Sequence, residues 1–204
     1  MQTKLTRGFT VIELLVVMAV MGIVTTILVS GFPRFGELLV LDSQAQLIAL
    51  AIRDIEQRAV STLESPIGPP GQYQAPFGVH FNKADSRSYR LFSDAITPDN
   101  FFTAGEEVEI VPIERGVRIR NICKLNNAGD TCATDLDQLS VTYKRPNPII
   151  EMRGATIGSC NPGPCVIINL GAGSYAIEIE SKDSSLSRRV IMWTTGAVAI
   201  KKVP

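Results

Sequence analysis

A single carboxylate, Glu13, stands inside an otherwise apolar run over residues 9–29, directly behind the basic stretch Lys4-Leu5-Thr6-Arg7-Gly8. Burying a carboxylate in hydrocarbon is costly, so an acid inside a membrane-length segment marks a functional position by default. Its chemistry there is that of a counter-charge or a register pin, because a buried ion demands a partner of opposite sign. The other groups that could do chemistry are fewer. His80 is the sole histidine and sits between Val79 and Phe81 in a β-type run. That setting suits a sheet or surface histidine better than a catalytic base. With no second histidine, neither a metal hydrolase nor a serine triad has an anchor. No phosphate-binding glycine loop, dinucleotide fingerprint or nucleophile elbow is present. The chain is therefore not expected to be an enzyme, and it carries no motif for a cofactor.

The four cysteines, Cys123, Cys132, Cys160 and Cys165, all lie in the second half. An even count in a segment predicted to lie outside the cytoplasm favours disulfides. Four cysteines allow three pairings. The local pairs Cys123–Cys132 and Cys160–Cys165 are favoured because each brackets a turn-rich stretch. A four-thiolate zinc site is the rival, but neither gap has the CxxC spacing of a zinc knuckle. Oxygen donors gather at Asp94, Asp99, Asn100, Glu106 and Glu107, in or beside a long polar connection over residues 94–105. Calcium takes six to eight oxygens, and Asp94, Asp99, Asn100 and Glu106 offer some of them. The spacing matches no EF-hand, and a solvated acidic loop is the simpler reading. The loop is the leading candidate for a mobile or ion-binding segment.

The elements that must position these groups follow from hydrophobic periodicity. Residues 9–30 form a 22-residue apolar stretch. At about 1.5 Å per residue it matches the ~30 Å core of a bilayer. It is longer than a signal-peptide core and is followed by no small-residue cleavage pattern. Lys4 and Arg7 precede it, so the positive-inside rule places residues 1–8 in the cytoplasm and the remainder outside. The helical pattern continues past Pro33: Ile48, Ile52, Ile55, Ala59 and Leu63 recur every three or four residues opposite a charged face. One long helix over residues 10–63 is expected, kinked or locally melted at Gly31 and Pro33. Ala19, Gly22 and Thr26 give its apolar half a smooth strip that would allow close helix packing.

The proline- and glycine-rich residues 65–71 end the helix. Ten β-type runs follow, at 78–82, 88–93, 107–111, 117–122, 139–143, 149–153, 166–170, 175–180, 188–194 and 197–201. Thr195-Gly196 reads as a hairpin turn. The clean alternation over 175–180 predicts a sheet with one wet face. The fold class is α+β: a long amino-terminal helix packed on an antiparallel β-rich head. The expected divisions are a leader at 1–8, a span at 9–30, an amphipathic half at 31–64 and the head at 65–204.

Charge excludes one class of partner. The chain has 20 basic and 20 acidic side chains, and losing Lys4 and Arg7 would leave 18 against 20. Arg115, Arg118 and Arg120, Lys144 and Arg145, and Lys201 and Lys202 form basic clusters, but Glu106, Glu107, Glu109 and Glu114 dilute the first. They read as solvated strand faces, and nucleic acid is not an expected partner.

The segment Arg7-Gly8-Phe9-Thr10-Val11-Ile12-Glu13-Leu14-Leu15-Val16 resembles the amino-terminal signature of type IV pilins and type II secretion pseudopilins. The resemblance implies cleavage by a prepilin peptidase between Gly8 and Phe9, then N-methylation of Phe9. It also implies a subunit held in the cytoplasmic membrane, single-pass with its amino terminus inside, and later built into a pilus or pseudopilus. Its partners would be that peptidase, other pilin or pseudopilin subunits, and an inner-membrane assembly platform. The freed amine of Phe9, with a reference pKa of ~8, would be cationic. In a filament core it would need Glu13 of a neighbouring subunit as its counter-charge. The head is similar, through Phe77-Gly78-Val79-His80-Phe81 and Arg188-Arg189-Val190-Ile191-Met192, to H-type pseudopilins and FimT-like minor pilins. Many of that group carry Gly-Arg near the carboxyl end, where this chain has Gly196-Ala197. A minor structural subunit is the expected function. A pilus-tip binding module for DNA or surface adhesion on the same scaffold is the alternative.

Overall fold

The computed structural model describes residues 9–61, 64–126, 131–144, 149–156 and 167–203, with no side-chain description for 30–34. The described chain divides into two compact units, one ending at Leu38 and the other beginning at Leu39.

Helix α1 runs Val11–Val60, and the amide of Ser61 still bonds to the carbonyl of Gln57. Gly31 and Pro33 are helical, which corrects local melting as one form of the break expected there. A single proline removes one backbone hydrogen bond, and fifty helical residues supply enough others to carry the element through. Leu63, expected on the core stripe, lies outside the described residues.

Over residues 9–29 the apolar side chains are bare. Phe9, Val11, Ile12, Met18, Met21, Ile23, Ile27 and Leu28 are all exposed. Helix residues 11–29 are long and apolar enough to cross a membrane. The part of α1 that belongs to the second unit behaves differently. Leu41, Ala45, Ile48, Ile52, Ile55 and Ala59 step by four and three residues and are buried to 2% exposure or less. Residues 35–60 also pass a length-and-composition test for a span, but this stripe is consumed by the sheet. The helix therefore docks one face on the β-rich head, as the periodicity predicted.

Ten strands are present among the described residues: β1 (Phe77–Asn82), β2 (Ser88–Ser93), β3 (Glu107–Pro112), β4 (Arg118–Leu125), β5 (Cys132–Lys144), β6 (Ile149–Thr156), β7 (Ile167–Asn169), β8 (Ser174–Glu180), β9 (Ser187–Trp193) and β10 (Val198–Lys202). They pair antiparallel in one sheet ordered β10-β9-β8-β4-β5-β1-β2-β3, with β6 and β7 branching from β5. Strand β5 is the hub. It pairs with β4 over its first residues, with β1 from Gln138 to Tyr143, and with β6 from Leu136 to Lys144. It starts seven residues earlier than expected, because Thr134, Asp135 and Asp137 read as loop while the backbone ladder does not depend on them. The final hairpin turns at Gly196, whose φ of 90° and bond to the Trp193 carbonyl fit the expected tight turn.

One sheet face meets the helix through Val79, Phe81, Leu139, Val141, Ile177, Ile179 and Val190. The other face is not wet along β8, where all seven residues are buried. Glu178 is covered by Arg189, whose Nε donates at 2.9 Å, and Glu180 pairs with Arg118 and, more distantly, Arg120. Long arginines lying across the strand exclude water from positions whose alternation looked solvent-facing. The methyl-scale sensitivity of the helix–sheet seam is testable. Ile52→Val is expected to lower unfolding free energy by about 0.5–1.5 kcal/mol in urea titration of the full chain in detergent.

Candidate functional site

The start of α1 holds Phe9 and Glu13, the residues expected to serve assembly. Thr10 precedes α1, and its carbonyl accepts the amides of Glu13 and Leu14 at 3.1 and 3.2 Å. The amide of Glu13 also reaches Thr10 Oγ1 at 3.4 Å, while the Thr10 amide and hydroxyl both lie 3.5 Å from Glu13 Oε2. This is a loose capping box, with threonine at the cap and glutamate three residues on. The Thr-x-x-Glu spacing at Thr10 and Glu13 is its signature in the sequence. Glu13 thus has an intramolecular role as well as the intermolecular one expected for it, and its carboxylate sits at the positive end of the helix. Within the apolar stretch, Thr25 and Thr26 donate their hydroxyls to the carbonyls of Met21 and Gly22 at 2.7 and 2.8 Å. No polar hydrogen is left unpaired on them, which suits a hydrocarbon environment. Gly8 lies outside the described residues.

Cys123 and Cys132 form a disulfide that joins β4 to β5. Cys132 Sγ lies 3.8 Å from Glu178 Oε1. The three residues converge, but both sulfurs are committed to the bond, so they offer no thiolate to a metal. Cys160 and Cys165 lie outside the described residues.

The polar connection 94–105 is pinned rather than loose. Glu106 is fully buried and accepts the amides of Ile96 and Thr97 on one oxygen and of Thr103 on the other, at 2.8 to 3.2 Å. Asp94, 1% exposed, takes the amides of Asp99 and Asn100. Asp99 caps Phe101 in turn. These carboxylates satisfy loop amides, and among the described residues Asp94, Asp99 and Glu106 do not converge on a shared ion position. Burial pushes the Asp94 carboxyl up to about 6, against the pull of the Asn100 and Asp99 amides.

The pinned loop covers His80. Its Nδ1 is 2.8 Å from Ser140 Oγ, which also accepts the Phe102 amide at 3.2 Å. Phe101 meets the ring edge-on and Phe102 lies tilted 4.8 Å from it. Burial, aided by the nearby Arg90 guanidinium, pulls the imidazole down to about 3, with Asp85 opposing weakly. His80 is a neutral core histidine of the sheet, sealed from any substrate.

The basic clusters fare differently from one another. Lys144 pairs with Glu151, Arg145 is outside the described residues, and Lys201 and Lys202 lie on the edge strand β10. Arg115 and Arg118 are joined by Arg87 and Lys182 around one concavity. The last two could not be grouped with them from sequence, since they come from turns about thirty and sixty residues away.

No curated protein and no solved structure matches the chain. Residues 3–29 match the family described as the prokaryotic N-terminal methylation motif. The match covers the basic leader, the Gly8-Phe9 junction, Glu13 and the apolar stretch, and it supports a type IV pilin-like prepilin signal on this chain, of the kind that implies peptidase processing and assembly with other pilins.

Proposed function

We propose that the chain is a minor pilin or pseudopilin, stored in the cytoplasmic membrane and assembled through α1 into a pilus or a secretion pseudopilus. The observation that carries this reading is the coincidence of a methylation motif over residues 3–29 with a helix whose apolar side chains stay bare over residues 11–29. Such a surface has to be covered by lipid or by other helices. In the membrane, lipid does so, with the amino terminus in the cytoplasm and the head outside. In the filament, the helices of neighbouring subunits do so. The short motifs of the head, whose sequence resembles H-type pseudopilins and FimT-like minor pilins, favour a minor rather than a major subunit.

The test is mass spectrometry of the protein purified from cells with and without the prepilin peptidase. Loss of residues 1–8 and one added methyl on Phe9, both peptidase-dependent, are expected. An intact leader in peptidase-proficient cells would refute the reading.

A further inference from the structure

Three turns of the head meet at a concavity of about 390 Å³ lined by Arg87, Ile113, Arg115, Gly116, Arg118 and Lys182. Four of those six are cations, in a protein whose net charge is zero. Arg118 is paired with Glu180 and reaches Ser184 Oγ at 3.0 Å. The side chains of Arg87, Arg115 and Lys182 make no ion pair or hydrogen bond with the described residues. The acids nearby do not neutralise them. Asp183 uses its carboxylate within its own turn, accepting from Ser181 Oγ and the Ser185 amide, and these bonds hold it down at about 2. Glu180 is shared between Arg118 and Arg120. Glu114 is exposed on the turn beside them.

The frame around these cations is fixed. Ile113 donates its amide to the Arg87 carbonyl at 2.8 Å and Ile119 donates to Ser86 at 2.7 Å, tying the β1–β2 turn to the β3–β4 turn. The Ser181 amide bonds to Leu186, closing the third turn. Buried Ile113 forms the apolar floor. Between Glu114 and Val117, which close a turn at 3.2 Å, both central residues have positive φ: 56° at Arg115 and 79° at Gly116. Such turns favour Asn-Gly, and a long side chain in the left-handed region is strained. Gly116 is also needed for space, since a Cβ there would meet the Lys182 stem at 3.1 to 3.3 Å. The turn thus holds an arginine where local energetics prefer another residue, and it lets the Lys182 stem lie across the backbone.

We propose that this concavity binds one phosphate-class oxyanion, and that its source is the headgroup of an anionic phospholipid. Guanidinium groups offer paired donors that match phosphate geometry, and a single pocket of this size holds one such group rather than tracking a polymer. No aromatic side chain lines it, as a base-stacking site would require. The anchorage proposed above keeps the head at a bilayer surface. Gln44 of α1 accepts the Glu114 amide at 3.4 Å beside the pocket, fifteen residues after the end of the apolar stretch at Val29. Those fifteen residues all lie within helix α1. The inference uses the membrane anchorage proposed above, but not leader processing or filament assembly.

The experiment is calorimetric titration of the full chain in a phosphate-free maltoside detergent. The probes are short-chain phosphatidylglycerol, short-chain phosphatidylcholine, inorganic phosphate and a duplex oligonucleotide. Saturable binding of phosphatidylglycerol, at least tenfold tighter than phosphatidylcholine or inorganic phosphate, is expected. Arg87→Gln with Arg115→Gly should weaken it at least tenfold. Glycine accepts the positive φ at position 115, so that variant keeps the turn, and an unchanged urea midpoint checks the fold. Equal binding by wild type and variant would overturn the site. Inorganic phosphate binding as tightly as the lipid, or the duplex binding more tightly, would overturn the headgroup assignment. An intact leader found by mass spectrometry would refute the pilin reading and leave this result standing.

Discussion

Glu13→Gln is expected to leave the leader cleaved and the helix formed, yet to reduce recovery of the subunit in sheared filaments by two orders of magnitude or more. The capping box makes glutamine the informative substitution. Glutamine at the third helical position can still receive the Thr10 amide and hydroxyl, which lie 3.5 Å from the native carboxylate. It cannot neutralise the cationic amine that cleavage would free at Phe9. If Glu13 acts only as a cap, glutamine should preserve assembly and Thr10→Ala should damage it about as much as Glu13→Ala, a cost near 1 kcal/mol. If Glu13 is the counter-charge of a neighbour's amine, Gln and Ala should fail alike and Thr10→Ala should assemble nearly normally. Leaving one member of a buried ion pair alone costs about 3–5 kcal/mol, and each ~1.4 kcal/mol is tenfold in an equilibrium. The measurement is the ratio of subunit in filament and membrane fractions for the three variants. Wild-type incorporation by Glu13→Gln would remove the counter-charge role and leave the cap.

The elements of the head were largely legible because turn residues punctuate it. Each of the ten β-type runs has a strand at or near it, and Ser88–Ser93 is matched end to end. The core stripe of α1 was legible for the same kind of reason: Ile48, Ile52, Ile55 and Ala59 repeat at helical spacing, and all four are buried. What escaped depends on groups distant in sequence. The alternation of β8 correctly separated Tyr175, Ile177 and Ile179 from Ala176, Glu178 and Glu180, but it carried no sign that Arg189 and Arg118 would roof the polar side. The start of β5 escaped because backbone pairing and the disulfide at Cys132, not side-chain hydropathy, extend it. The helix through Pro33 escaped because a local breaker was weighed without the length of helix around it. The cationic concavity needed the topology, since only the strand order brings the turn after β1 and the turn after β8 to the same place as Arg115. The capping box is local, and the Thr10-x-x-Glu13 spacing alone makes it readable.

The loop over His80 holds two groups whose protonation acts on the head in opposite directions. His80 is neutral in the native state to about pH 3 but titrates near 6.5 when unfolded. The unfolded chain therefore binds more protons between those values, and this residue's share of stability falls as pH drops through that window. Asp94 is the reverse. Its native carboxyl protonates at about 6 against 3.8 unfolded, so the native state binds more protons between those values and gains stability as pH falls. One pKa unit is worth about 1.4 kcal/mol and both groups are partly titrated at the ends of the window, so over pH 6 to 4 each contributes about 2 kcal/mol, with opposite sign. The wild-type pair should nearly offset across that range. Replacing one should expose the other. In urea titrations of the full chain in detergent at pH 4, 5, 6 and 7, Asp94→Asn should lose about 2 kcal/mol relative to wild type between pH 6 and pH 4. His80→Asn, whose side-chain amide can stand near the Nδ1 position beside Ser140, should gain about 2 kcal/mol relative to wild type over the same interval, whatever its fixed cost from the lost ring. The difference between variant slopes is the quantity read, so unrelated carboxylates common to all three proteins cancel. Parallel slopes in the two variants would show that the loop leaves both groups open to solvent. Opposed slopes would show that Phe101 and Phe102, held by the amides pinned on Asp94, Asp99 and Glu106, keep water from a neutral imidazole in the middle of a sheet.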